Sequence, residues 1–477
     1  MKEIHSIILV CLCLLISGFG VAADDTVTAG FGTRADESGW RGEADVNNDG
    51  IIDGYDLAFR ALNSGDAVTD KTSATYRADR ILVRCVPRLG RDEIQRMVGQ
   101  YGVNTDRVRS LGTTGYTAVP VPEGMTAEQF LETMRTDRSV MDVQFDYICR
   151  ASRTPNDQYY DIQWNFRHVK APRAWDLTSG GNSDVVVAII DTGIAYENYG
   201  TFEKAPDFAG TAFTNGYDFI NNDAHANDDE GHGTHVAGTV AETTNNSIGA
   251  AGLAYQCTLM PVKVLGSNGS GTSSSLGQGI RWAADHGAHV INMSLGFPTG
   301  TDGGPVVREA VQYAYAKGVI LVGAAGNERN DKGYSGGVEY PAAYDECIAV
   351  GAIRYDKRYT NYSNYGSALT CVAPGGKVGF DQNNDGHSDG ILQQTFIDGD
   401  PTKFRYVYYE GTSSASPHVA AAAALFVSRH GGGPAEFRQA VIETSEDLGP
   451  SGFDQDYGYG LIDISKIVLR GRGWGAN

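Results

Sequence analysis

Apolar positions along this chain fall into three patterns. Residues 7–16 form one unbroken apolar run behind Lys2, and Val21, Ala22 and Ala23 follow with the small side chains a signal peptidase accepts. That reads as a secretion signal over residues 1–23. The run is shorter than the roughly 20 residues a membrane-crossing helix needs, so no stable membrane anchor is expected. Over residues 76–150 the pattern changes repeatedly. Strand-like stretches at 80–86, 107–111, 116–121 and 141–147 enclose two helical spacings. One runs through Ile94, Met97, Val98 and Tyr101; the other runs through Phe130, Leu131 and Met134, capped near Thr126. The order βαββαβ predicts a small ferredoxin-like α+β unit. From 151 to 477, near-continuous apolar runs at 185–190, 259–264, 290–293, 319–323 and 348–352 alternate with helical segments. Strands apolar on both faces are covered on both faces, so this part is predicted to be α/β, a mostly parallel sheet flanked by helices.

Charge narrows the functional classes. The net charge of -20 in 477 residues argues against nucleic acid, which needs clustered Lys and Arg. An acidic surface suits an exported protein that holds calcium. Cysteine usage agrees: of 7 cysteines, Cys11 and Cys13 leave with the signal. Cys347 and Cys371 each open a short apolar run and could sit bridged on neighbouring strands.

Between the signal and residue 75 the chain is polar, acidic and Gly-rich, with one ordered motif. Asp45, Asn47, Asp49, Asp53 and Asp56 stand at loop positions one, three, five, nine and twelve, with Gly50 at six. That spacing wraps a chain around Ca²⁺. It resembles half of a dockerin. Dockerins carry two such loops, which argues against docking to a cohesin partner.

Three motifs in the large domain carry chemistry. Val187 to Gly193 ends a buried strand on Asp191. Gly231-His232-Gly-Thr-His235 opens a small-residue helix, and Gly411-Thr-Ser413-Ser-Ala-Ser-Pro417 opens another, with Pro417 taken to lie in its first turn. Amide hydrolysis needs a nucleophile, a base that becomes an acid, and a group orienting that base; Ser413, His232 and Asp191 are the required types. Asn327, closing Gly323-Ala324-Ala325-Gly326, follows a strand and could donate to an oxyanion together with the Ser413 N–H. Two other hydrolase readings fail on residues. An α/β-hydrolase elbow wants Gly where Ala415 stands, and a zinc protease wants His-Glu-x-x-His where His232 and His235 are too close. His235 is expected to be a buried, hydrogen-bonded core residue. A calcium-holding scaffold on a protease-like fold is the rival from another class; the intact set of four residues argues against it.

In the order Asp, His, Asn, Ser these motifs resemble the subtilisin family, over about residues 155–468, with the thermitase-like branch the most similar. That chain order and an oxyanion-hole Asn are those of subtilisin itself. The resemblance implies a secreted serine endopeptidase acting on protein or peptide substrates. It also implies that residues 76–150 are an inhibitory propeptide, bound intramolecularly until cut between about 150 and 157. Ser294, Leu295, Gly296, Ala324, Ala325 and Gly326 match the family's substrate-binding walls, with Glu339 near the pocket base and Glu328 directly after Asn327; a tolerance for Lys or Arg before the scissile bond follows. Ser414 stands where the family commonly has Met.

The family's calcium site is matched by Asp157, Asp207 and Asn246, with the carbonyls of Thr244, Ile248 and Ala250. A second cluster, Asp218, Asp223 and Asn227, resembles a further thermitase-type site. A third, Asp381, Asn383, Asp385 and Asp389, has calcium-loop spacing but ends on Leu392 where a carboxylate belongs.

Overall fold

The computed structural model describes residues 76–147 and 154–470, apart from residues 88, 299, 333, 335 and 398. The secretion signal, the leader with its Asp45–Asp56 loop, Cys149 and most of the expected processing segment lie outside the described residues. The chain forms two units, 1–148 and 149–477.

In the first unit the strands are β1 (Tyr76–Cys85), β2 (Arg109–Ser110), β3 (Thr117–Pro120) and β4 (Val140–Tyr147), with helices α1 (Arg91–Gly99) and α2 (Ala127–Arg135). The sheet order is β2-β3-β1-β4, every neighbour antiparallel. This is the ferredoxin-like order the pattern predicts. The expected strand over 107–111 shrinks to two residues because Thr105–Arg107 winds into a 3₁₀ turn, capped by the Asn104 side chain accepting from Asp106 N. Thr126 does cap α2: its hydroxyl accepts from Gln129 N and the Gln129 side chain accepts from Thr126 N. Ile81, Val83, Val119, Phe130, Leu131 and Met134 form the core beneath.

The second unit opens with α3 (Trp164–His168) and α4 (Ala171–Thr178). Its sheet contains β5 (Val186–Asp191), β6 (Ala212–Phe213), β7 (Tyr217–Asp218), β8 (Thr258–Lys263), β9 (Val290–Met293), β10 (Ile320–Ala324), β11 (Cys347–Ile353) and β12 (Cys371–Pro374). The order is β12-β11-β10-β9-β5-β8-β6, with β7 also pairing β8, and all ladders are parallel. Helices α5 (His232–Ala241), α6 (Ser273–Asp285) and α7 (Gly304–Ala316) cover it. A hairpin of β13 (Ile391–Phe396) and β14 (Phe404–Tyr409) precedes α8 (Thr412–His430), α9 (Pro434–Thr444) and α10 (Ile464–Leu469).

Strand β5 shows why the apolar runs are continuous. Val187 and Ile189 enter one core with α5 and α8, while Ala188 and Ile190 enter the other with α6 and α7. Successive side chains leave opposite faces of a strand, and here both faces are dry. Ala420 to Ala424, all fully buried, let α8 lie close beneath the sheet.

Two expectations are corrected. Cys347 and Cys371 are free thiols on the neighbouring strands β11 and β12. The register pairs Cys371 with Val350, three residues along from Cys347, an offset of about 10 Å, beyond the roughly 7 Å limit for bridging. Pro417 is the sixth residue of α8, inside the helix rather than in its first turn.

Candidate active site

Asp191 is the last residue of β5 and His232 the first of α5. The imidazole Nδ1 lies 2.7 Å from Asp191 Oδ1, which also accepts from Thr192 N. Asp191 is fully buried; the His232 side chain is partly exposed. Close backbone approach makes this possible: a Cβ on Gly233 would collide with the Gly193 carbonyl. Burial by itself would depress the imidazole, but the Asp191 charge, followed by Glu230 and Asp228, outweighs it and raises the pKa to about 9.

Asp228 and Thr192 clamp this pair. The buried Asp228 carboxylate accepts from Gly231 N, Thr234 N, Glu230 N and the hydroxyls of Thr192 and Thr234. Thr192 Oγ1 accepts in turn from Gly233 N. An anion holding the unpaired N–H groups of a helix start also favours that end electrostatically. Neither residue is a sequence-level site candidate, although an Asp four residues before a helix-opening His is a readable signal.

Ser413 is the second residue of α8, whose N-terminus is hydrogen-bonded to Ser294 just after β9 and to Gly326 just after β10. Gly411, at φ +151°, turns the chain into the helix; a Cβ there would lie 3.0 Å from Ser413 Oγ and 3.7 Å from Asn327 Nδ2. Hydroxyl and amide therefore face one point. Thr412 orients the amide: its N–H and its hydroxyl both donate to Asn327 Oδ1, at 2.9 and 3.1 Å, which leaves Nδ2 toward the cleft. The Thr412 hydroxyl also accepts from Gly326 N. Ser413 Oγ and His232 Nε2 are not hydrogen-bonded to one another; such contacts are commonly long before substrate arrives.

Of the expected wall residues, Ser294 turns its side chain away from the cleft: its hydroxyl donates to the Ser413 carbonyl and accepts from Asn292 Nδ2. Leu295 packs partly on the core and Gly296 is exposed. Ala325 O accepts from Glu339 N, and Gly326 O from Asn364 N, which brings Glu339 beside the 324–326 wall. His235 is fully buried, with Nε2 against the carbonyls of Ile391 and Val407, and burial lowers its pKa to about 3; it is the core residue expected.

The structure gathers the first calcium set. Asp157 accepts from Asn245 N and Asn246 N; Asp207 accepts from Ala250 N, Asn246 Nδ2 and the Tyr406 hydroxyl. Both carboxyls are buried and raised by that burial, Asp207 also by the Asp157 charge. Buried acids that repel one another are what a divalent cation relieves, so these residues fit Ca²⁺. Thr244 and Ile248 sit in the same 244–250 loop, Ile248 being exposed. In the second set, Asp218 and Asp223 exchange main-chain hydrogen bonds, but the Asp218 carboxylate is taken by Ile220 N, Asn221 N and the Asn221 amide. Asn227 Oδ1 is buried without a hydrogen-bond partner among the described residues. In the third, Asp381 accepts from Asp385 N and Gly386 N, Asn383 donates to Asp385, Asp389 accepts from Gln382 N, and Leu392 is buried in β13. Among the described residues, no three His, Cys, Asp or Glu side chains are gathered as a metal cluster.

Residues 182–460 match the model of the subtilase family. The chain belongs to that family. The subtilase is 36% identical to a thermophilic serine proteinase of Bacillus sp. (strain AK1), over 76% of this chain and 84% of that one. It is 37% identical to thermitase of Thermoactinomyces vulgaris, over 66% of this chain and 99% of that one. Among solved structures, a protease of Pseudoalteromonas arctica PAMC 21717 superposes with a TM-score of 0.58 at 32% identity, covering 66% of this chain and 99% of that one. This subtilase is accordingly a serine endopeptidase, with the subtilisin-like α/β fold.

Proposed function

We propose that this subtilase cuts protein substrates through Ser413, His232 and Asp191, with Asn327 in the oxyanion hole. The reading is supported by the 2.7 Å contact between His232 Nδ1 and the buried Asp191 carboxylate, and by the Ser413 hydroxyl and Asn327 amide that meet at the Gly411 turn. The contact holds the proton on Nδ1 and leaves Nε2 free to take the Ser413 proton as Oγ attacks the scissile carbonyl. Negative charge then develops on the carbonyl oxygen, where Asn327 Nδ2 and the Ser413 N–H donate to it. His232 returns the proton to the leaving amine, and water repeats the sequence on the acyl-enzyme.

The chain is made as a secreted zymogen. A relative from Natrialba magadii is named an extracellular serine protease, and among the described residues no helix is long and apolar enough to cross a membrane. The ferredoxin-like unit serves as intramolecular inhibitor and folding template, released by self-cleavage between about 150 and 157. Ca²⁺ is structural, held by Asp157, Asp207 and Asn246 with the carbonyls of Thr244, Ile248 and Ala250, and it offsets buried negative charge. The Asp218, Asp381 and Asp45 loops are further calcium positions.

A fluorophosphonate probe tests the reading. Labelling of the matured protein that disappears in Ser413→Ala, together with accumulation of uncut precursor in that variant, is expected. Labelling that persists in Ser413→Ala overturns it.

A further inference from the structure

Helix α5 and its two capping residues present one stripe to the β13–β14 hairpin. Gly231, His235, Gly238 and Glu242 follow at intervals of four, three and four, so they share a helix face. Each meets the hairpin. The Thr395 hydroxyl donates to the Gly231 carbonyl at 2.5 Å, and His235 Nε2 lies 3.1 Å from both the Ile391 and the Val407 carbonyls. A Cβ on Gly238 would lie 3.2 Å from Gln393 Cβ, and Gln394 N donates to Glu242 Oε1. His235 thus clips the two strands together, Ile391 being in β13 and Val407 in β14. Its ring also stacks on Tyr409, with centroids 4.2 Å apart and planes 16° from parallel.

Both ends of this contact lead to the reacting groups. His232 directly follows Gly231 and stands one turn before His235, while Tyr409 stands four residues before Ser413. The separation of base and nucleophile therefore depends on how α5 is held against β14. On another face of α5, Val236, Ala237 and Val240 pack into the core that α8 also enters. Apolar packing is non-directional, so it fixes the position of a helix along its own axis only loosely. A donor aimed at a carbonyl fixes that position much more tightly.

We propose that the β13–β14 hairpin sets the separation between His232 and Ser413, and that Thr395 and His235 are the positioning residues through which it does so. The proposal rests on the peptidase reading above, and neither residue acts on substrate directly.

The two donors suit this role. An Nε2 that faces two carbonyls carries the ring proton, and the buried Nδ1 has no hydrogen-bond partner among the described residues. Burial holds the ring neutral, lowering its pKa to about 3, so the clip keeps one proton arrangement wherever His232 titrates. A threonine hydroxyl does not titrate either. Gly231, at φ +110°, lets the chain come this close; a Cβ there would lie 3.0 Å from the Thr395 hydroxyl.

The test compares Thr395→Val and Thr395→Ser with the unaltered protein, each matured from the full chain, on one peptide p-nitroanilide. Rates are expressed per site titrated with a fluorophosphonate. Valine keeps the branched shape and removes the donor; serine keeps the donor. General-base catalysis is worth about 10²–10⁴-fold, and a displacement of about 1 Å costs up to about 10²-fold. Thr395→Val is therefore expected to lower kcat about tenfold with KM within about twofold, and Thr395→Ser to restore it. His235→Phe keeps a ring over Tyr409 without the donor and should show the same split. Titration removes unfolded molecules from the count, so a residue that only stabilised the fold would lower Tm and leave kcat per site unchanged. That outcome overturns the proposal, and so does a rise in KM at constant kcat, or a serine variant as slow as the valine one. Where one of Thr395→Val and His235→Phe yields no titratable enzyme, the other decides; if both simply unfold the domain, the residues belong to stability and the proposal falls. Absence of turnover in the unaltered protein would instead overturn the peptidase reading.

Discussion

The Ser294 hydroxyl donates to the main-chain carbonyl of Ser413 at 2.8 Å, a bond that exists because Pro417 stands four residues further along the helix. A proline has no N–H to return to the carbonyl of residue i−4, so the half-buried Ser413 carbonyl receives no helix bond from that position. Ser294, at the end of β9, fills the gap and ties the nucleophile's backbone to the sheet. Ser294→Ala is expected to lower unfolding free energy by about 1 kcal/mol, the net worth of one half-buried hydrogen bond. Equilibrium denaturation at two or more wavelengths measures it, and an unchanged midpoint would show the bond to be dispensable.

Asn327 should matter for rate more than for binding. Asn327→Leu keeps the volume but removes the donor aimed at the Gly411 turn, and kcat is expected to fall roughly 10²–10³-fold with KM little changed. Thr412→Val should reproduce part of that loss, because one of the two hydrogen bonds orienting the amide goes with the hydroxyl. A rise in KM with constant kcat would instead place Asn327 in ground-state binding.

General-base catalysis needs a neutral imidazole, and the His232 pKa is raised to about 9. The sign is therefore unambiguous: kcat/KM on an uncharged peptide should climb with pH and level off above about 9. The stabilising pair of charges runs the other way, fully present below the unfolded histidine value of about 6.5 and lost as pH rises through the folded value. Neutralising a contributor in Glu230→Gln should move the activity midpoint toward acid. A pH–rate profile already level at about pH 7 would refute this.

Chelation should cost stability. Removing Ca²⁺ leaves the buried Asp157 and Asp207 carboxyls to repel one another. Loss of a ligand present at a hundred times its Kd removes about 2.7 kcal/mol, so EDTA should lower Tm by several degrees. Asp207→Asn should make Tm nearly insensitive to EDTA, measured by calorimetry.

Resistance to peroxide is also expected. Ser414 is buried beside the nucleophile, and the methionines of the second unit, Met260 and Met293, are fully buried. Oxidation favours exposed thioethers and thiolates, and among the described residues of the second unit both methionines are buried and all three cysteines are buried thiols. Residual activity should stay near its starting value after an exposure that oxidises free methionine, whereas Ser414→Met should lose activity quickly.

Much of this protein could be read without coordinates. Apolar runs such as 185–190 have no polar side to turn to water, which forces a covered parallel strand, and the five runs of the second unit came within a residue or two of β5, β8, β9, β10 and β11. The chemistry was equally legible where residue type and local setting suffice: Asp191 at a strand end, His232 and Ser413 at helix starts. What tertiary structure alone decided was register and convergence. A shift of three residues between β11 and β12 keeps Cys347 and Cys371 apart. His235 meets carbonyls on a hairpin more than 150 positions away. Glu328 and Glu339 are joined through a fold-back of the chain between two glycine walls. Periodicity reports which face of an element is dry. Only the packed chain reports which distant groups share that dry space, because that depends on how every intervening element is stacked.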